Sequence, residues 1–175
     1  MKGRTVGISL VAAGAVAGIA MYYLQVYAFY EDVTADVEAV QLTSLSGGQP
    51  EPILSENINA IDADSSPLRF RACFETPMSL PMLTETYVLY DDAVPLNAPD
   101  WFDCFDAARI GAALEDGSAL AFLGTANITY GIDRIVAITD DGRGYAWHQI
   151  NICGEEVFDG RPAPEGCPDP DERTN

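Results

Sequence analysis

An α+β fold is predicted, with one N-terminal transmembrane helix followed by a small external domain that holds an antiparallel sheet and one or two short helices. Three observations predict it. Residues Thr5 to Tyr30 carry no charged side chain. Beyond them, short runs place apolar residues at every second position, and one pair of runs flanks an Asp-Asp-Gly-Arg-Gly turn. Asp106 to Gly117 carries both the period and the end signals of a helix.

The opening span reads TVGISLVAAGAVAGIAMYYLQVYAFY. About 20 apolar residues suffice for a helix to cross the roughly 30 Å hydrocarbon core. A secretory signal peptide competes for this segment, and Ala15-Val16-Ala17 resembles its cleavage site. Such peptides have an apolar run of about 7–15 residues. Here the run continues to Leu24, so a retained anchor is the better reading. Lys2 and Arg4 precede the span, and Glu31, Asp32, Asp36 and Glu38 follow it. Under the positive-inside rule the N-terminus is cytoplasmic and the bulk of the chain lies outside. The expected organisation is a cytoplasmic N-terminus (1–4), a membrane helix (5–30), a stalk (31–52), a periplasmic domain (53–152) and an acidic Pro-rich tail (153–175).

Two features of the helix suggest contacts. Gly7, Gly14 and Gly18 are small, and the last two form a GxxxG step that lets another helix approach closely. Tyr22, Tyr23, Tyr27 and Tyr30 cluster at the outer end, where amphipathic rings favour the headgroup layer. Their density exceeds what an anchor requires, so part of the cluster is expected to touch a protein neighbour.

The external part is strongly acidic. All 27 acidic residues of the 175-residue chain follow the span, against seven arginines, a net charge of −20. Such a surface repels nucleic acid and anionic headgroups and attracts basic proteins. Cys73, Cys104, Cys153 and Cys167 sit in an oxidising compartment under this topology, so disulfides are the first reading. Of the three possible pairings, Cys73–Cys104 and Cys153–Cys167 are favoured. The first ties two parts of the domain body. The second closes a tail loop, worth up to ~3 kcal/mol in the chain-entropy model.

The elements follow in order. Val37 to Leu45 alternates as a strand, and Gly and Pro punctuate 46–52. Leu68 to Glu75 alternates as a half-buried strand, with Arg69 and Arg71 on one face and expected to pair with carboxylates. Pro77 to Tyr87 starts a short helix limited by its prolines. Asp106 caps a helix through Leu114, with Gly117 beyond its end. Ala119 to Leu123 reads as a buried strand. Ile132 to Thr139 and Tyr145 to Ile152 read as a hairpin on the Asp-Gly signal. From Gly154 onward the chain is expected to be irregular.

Catalytic signals are weak, and the chain reads as non-enzymatic. His148 is the single histidine and sits on a strand without a nucleophile beside it. Cys104 lies next to Asp103 and Asp106, which raise a thiol pKa rather than lower it. Asp62-x-Asp64-x-Ser66 imitates a calcium loop but has Pro67 at its sixth position and Cys73 at its twelfth. No phosphate-binding loop, dinucleotide fingerprint, haem attachment motif or nucleophile elbow is present. No metal or cofactor is expected.

The segments YYLQVYAFYE (22–31), AIDADSSPLRFRACF (60–74), WFDCFDAARIGAAL (101–114) and DGRGYAWHQIN (141–151) resemble an uncharacterised family of single-anchor membrane proteins from alphaproteobacteria. The similarity runs from the anchor to about Asn151, which makes the tail with Cys153 and Cys167 an addition of this chain. The resemblance implies a bacterial inner-membrane protein with a small external domain, and it brings no site residues. The functional expectation is an accessory subunit of a larger membrane complex, of the electron-transfer kind, whose acidic domain attracts a basic c-type cytochrome. The rival is an independent envelope protein, either an assembly factor or an enzyme whose site the linear sequence hides.

Overall fold

The computed structural model describes residues 3–34 and 40–170. The chain opens with α1 (Gly3–Tyr23), and a π-helical turn (Leu24–Ala28) continues it. Together Gly3–Tyr27 make a span of 25 residues, long and apolar enough to cross a membrane, with none of its hydropathic window buried in the protein. Tyr30 lies beyond the helix, so the helical part is shorter than the charge-free span.

The domain is built on a six-stranded antiparallel sheet of β1 (Glu31–Asp32), β4 (Glu56–Asp62), β5 (Arg71–Glu75), β6 (Ala119–Thr129), β7 (Ile132–Thr139) and β8 (Arg143–Ile150). They lie in the order β1-β4-β5-β8-β7-β6. A separate pair, β2 (Gln41–Thr43) and β3 (Pro50–Pro52), packs beside it. Segment 31–52, expected as a stalk or linker with room for one strand, contributes three strands, and Leu42 within it is fully buried. Residues 37–39 of the predicted strand 37–45, with Asp36, lie outside the described residues. So do Lys2 and the last five residues of the tail.

Both faces of the sheet are covered. One carries Phe70, Ala72, Phe74, Val136 and Ile138 against Leu42, Ile53 and Leu83, the last from α2 (Leu80–Thr86). The other carries Cys73, Ile135, Ala137, Tyr145 and Trp147 against Phe102, Phe105 and Ile110, the last from α3 (Ala107–Asp116). This is why β7 is buried at nearly every position instead of every second one, as strands covered on both faces are. It also corrects the half-buried reading of β5. Arg71 points to a covered face and is only 3% exposed.

α3 forms where its end signals sit. The Asp106 carboxylate accepts from the Arg109 main-chain N–H at 3.1 Å, and Gly117 terminates the helix with φ 81°. Only a residue without a Cβ adopts that left-handed cap at no steric cost. The 132–150 hairpin is formed, with Ile138 opposite Gly144. β6 runs to Thr129, six residues further than expected. The tail is not wholly irregular. Its start is α4 (Ile152–Phe158), whose first turn is capped by the Asn151 side chain accepting from the Gly154 N–H at 3.1 Å.

Candidate functional site

A side-chain hydrogen bond joins the end of the anchor to the domain. Trp101 Nε1–H donates to the Val26 carbonyl at 2.8 Å. The last carbonyls of a helix lack partners within it, so this bond satisfies a group that would otherwise need water. Around it the rings interlock. Tyr27 stacks on Trp101 at 6.5 Å between centroids, and Tyr30 meets it edge-on at 6.0 Å. Tyr23 stacks on Tyr27 at 5.8 Å, and Tyr22 meets Tyr27 edge-on at 6.4 Å. Offset-stacked and edge-on pairs at these distances are favourable beyond their area burial. Tyr27 and Tyr30 thus meet a neighbour within their own chain.

Three devices hold Trp101 in place. The buried Arg71 guanidinium donates through Nε to the Leu96 carbonyl and through one terminal nitrogen to that of Asn97, each at 2.9 Å. It also donates to the carbonyls of Leu68 and Phe70 at 2.8 and 2.6 Å. Its hydrogen bonds go to main-chain oxygens instead of the carboxylates expected, with Asp62 near enough to favour its charge. A disulfide joins Cys73 of β5 to Cys104, three residues past Trp101, with Cα atoms 6.3 Å apart. Phe102 and Phe105 insert into the core on either side of it. Arg69, also expected to pair with a carboxylate, instead lies over the Tyr30 ring at 5.4 Å from its centroid. A cavity of about 370 Å³ opens here, lined by Tyr22, Gln25, Val26, Tyr30, Arg69 and the 97–100 loop.

A second cleft of about 360 Å³ lies beside the Cys73–Cys104 bridge. Asn57, Glu75, Arg109, Arg143 and Tyr145 line it. Asn57, Glu75, Arg109, Arg143 and Tyr145 are each engaged within the protein. Asn57 donates to Glu75 at 2.7 Å from a β-bulge, at φ 51°. Arg109 donates to the Tyr145 hydroxyl at 3.2 Å, and Arg143 pairs with Asp141 at 2.6 Å. The Arg143 and Thr139 hydrogen bonds hold the Asp141 carboxyl well below the usual range.

His148 is buried and stacked on Phe70 at 4.8 Å. Its surroundings hold it neutral, with the pKa lowered to about 4 by burial and then by the Arg134 charge. Arg134 in turn sits 4.0 Å from the Phe70 ring centroid. At the far end of the sheet, Asp133 accepts from the Asn127 N–H at 2.8 Å and from the Asn151 side chain at 2.7 Å. Burial, with Asp133 close by, pushes the Tyr90 hydroxyl up to about 12. Among the described residues, no group of three or more His, Cys, Asp or Glu side chains is placed to hold a metal ion.

The remaining residues singled out from the sequence are spread apart. Gly7, Gly14 and Gly18 have nothing within 4 Å of where a Cβ would stand. Tyr22 and Tyr23 are exposed. Cys153 and Cys167 form the second disulfide, which fastens the tail to α4. Trp101, Arg69 and Arg71 are the junction residues that sequence reasoning missed. The signal that could have found them is the aromatic cluster WFDCF, which has no reason to lie in a Pro-rich loop unless the loop docks on something.

A protein-family model described as a family of unknown function, DUF6446, matches residues 40–168, well over half of the chain. The match extends through Cys167, so the tail up to that residue lies within the matched region and is not an addition of this chain. It begins after the anchor, where the resemblance read from the sequence had included it. No curated protein and no solved structure matches the chain. Helix and domain together describe a membrane-associated protein with a folded extramembrane domain.

Proposed function

This chain belongs to the DUF6446 family of unknown function, and from that premise we propose that it is a non-catalytic accessory subunit of a larger bacterial inner-membrane complex. The observation that carries the reading is the bond from Trp101 to the Val26 carbonyl, with the tyrosines stacked around it. A tether for a freely acting domain needs only a flexible linker. This junction instead sets the domain at one orientation to the helix, which suits a subunit that must lie against a fixed neighbour. The open Gly14–Gly18 face supports a packing surface within the bilayer.

The periplasmic side is supported by the two disulfides and by the charges flanking the helix. An electron-transfer complex with a basic c-type cytochrome as visitor draws its support from the acidic surface alone. If so, docking should slow as salt rises, and a salt-independent docking rate would sink that part.

Detergent co-purification tests the main reading. The tagged full chain, solubilised from its own membranes in mild detergent, is expected at fixed stoichiometry with one complex. Leucine at Gly14 and Gly18 together should release it. Recovery of the chain alone, or only with immature forms of a complex, overturns the subunit reading and favours the assembly factor.

A further inference from the structure

We propose that the cavity between the anchor's outer end and the 97–100 loop binds a phospholipid headgroup of the phosphoethanolamine type, with Arg69 on the phosphate and Asp100 on the ammonium group. The proposal rests on the helix crossing the membrane. It is independent of which complex, if any, the protein joins.

Tyr22, Gln25 and Val26 line the cavity from the last turns of a 25-residue apolar span. A span of that length reaches the edge of the hydrocarbon core, so the opening lies at headgroup depth. Ile19 stands one turn before Tyr22 on the same helix face and is exposed. It leaves an apolar path along which an acyl chain can lie.

The domain carries a large excess of acids, yet this cavity is lined by an arginine, Arg69, as well as by Asp100. The other described guanidiniums of the domain donate to protein groups. Arg71 donates to four carbonyls, Arg109 to Tyr145, Arg134 to His148, Arg143 to Asp141 and Arg161 to Glu156. Arg69 lies over the Tyr30 ring, an arrangement that leaves the donors at its edge available. A planar fork of donors matches two phosphate oxygens. Asp100 lines the same cavity and supplies the acceptor that a primary ammonium needs and a quaternary one cannot use through hydrogen bonds. At about 370 Å³ the cavity falls in the range of small-molecule sites, roughly 300–1,000 Å³.

Native mass spectrometry of the full chain in detergent, mixed with phosphatidylethanolamine, phosphatidylcholine or phosphatidylglycerol, tests this. The wild type should retain the ethanolamine lipid at least about fivefold more than either other lipid. A fivefold preference corresponds to roughly 1 kcal/mol. Arg69→Ala should lose retention of all three lipids. Asp100→Asn should keep binding and lose the preference, and Arg161→Ala, on the tail and outside the cavity lining, should behave as wild type. Unchanged retention in Arg69→Ala, or an unchanged preference in Asp100→Asn, overturns the site. Displacement by an equal concentration of soluble glycerophosphoethanolamine overturns a membrane lipid as its source. Alkaline carbonate extraction of membranes is run on the same proteins. If the wild type is extracted, the spanning helix fails, and the proposal with it. If Arg69→Ala stays in the membrane while losing lipid, the site stands apart from the anchor.

Discussion

Arg134 Nε–H donates to His148 Nε2 across 3.1 Å, and this bond fixes the state of the single histidine. A guanidinium only donates, so Nε2 presents its lone pair. The proton therefore sits on Nδ1, which donates to the Pro67 carbonyl at 2.6 Å. Protonating Nε2 would break the bond and place a second buried cation against Arg134.

The pH dependence of stability follows. Burial, the Arg134 charge and, more weakly, the Arg71 charge hold the imidazole pKa at about 4, against 6.5 for the unperturbed side chain. Asp62 is the carboxylate that partly offsets the Arg134 charge. Below pH 6.5 the unfolded chain takes up a proton that the folded one refuses. Stability is therefore full above that pH and falls as pH drops toward 4, by about 2–3 kcal/mol at pH 4.5. Urea unfolding at pH 7 and 4.5 measures it. His148→Gln should be less stable at pH 7 but lose clearly less on acidification. Equal losses in the two proteins would show that other groups set the slope.

Gly144 lies opposite Phe74 in the β5–β8 register, and the Phe74 ring covers it so closely that a Cβ there would stand 2.1 Å from a ring carbon. Gly144→Ala forces the ring out of the core and should cost about 1–3 kcal/mol, the usual range for overpacking. Phe74→Leu alone also destabilises by removing ring contacts. In the double variant the two costs should sum to less than additive, because the clash is gone. Thermal melts of all four proteins decide it. Strict additivity would mean that the ring is not what excludes the Cβ.

The two disulfides should behave differently when removed. Cys73–Cys104 closes a separation of 31 residues and holds the loop that carries Trp101. The chain-entropy model assigns such a loop about 3–4 kcal/mol. Cys73→Ser with Cys104→Ser should lower global stability by that order and loosen the junction. Cys153–Cys167 spans 14 residues at the domain's edge. Its removal should release the tail to protease while hydrogen exchange in β7 and β8 stays slow. Uniformly faster exchange across the sheet would place the second bridge in the global unfolding unit instead.

How much of this could be read from the sequence depends on how local each cause is. α3 and the 132–150 hairpin follow from signals at their own ends or turn, Asp106 and Gly117 for one and Gly142 for the other. β6 continues past Leu123 because Gly124 fits where a Cβ would stand 2.9 Å from the Arg134 carbonyl, a demand made by the neighbouring strand. α4 was hidden by the Pro-rich composition after it, although Asn151 is an ordinary cap residue in plain view. Arg71 looked solvent-facing because period two shows alternation and says nothing about whether a loop covers the second face. The tyrosine cluster at the membrane was evident, but the bond from Trp101 to Val26 joins residues 75 apart, and no local pattern encodes that path.

The junction makes a spectroscopic prediction. The chain has two tryptophans. Trp147 is fully buried between the sheet and Phe105, whereas Trp101 is 37% exposed beside the end of the anchor. In bilayers, Trp101 should sit in the interfacial layer where indoles partition. Lipids brominated near the headgroup should quench part of the emission, and lipids brominated near the chain ends should quench less. Trp101→Phe should abolish the lipid-dependent quenching and leave the blue-shifted emission of Trp147. Phenylalanine keeps a ring for Tyr27 and Tyr30 but has no donor for the Val26 carbonyl, so the variant should lose about 1 kcal/mol, the net value of one hydrogen bond. It should also let the domain reorient, read as a broader distance distribution between spin labels on the helix and on the domain. Quenching that persists in the variant would place Trp147 near lipid and contradict its burial against Phe105. A distance distribution as narrow as the wild type's would show that ring stacking alone orients the domain and that the Trp101 bond is dispensable.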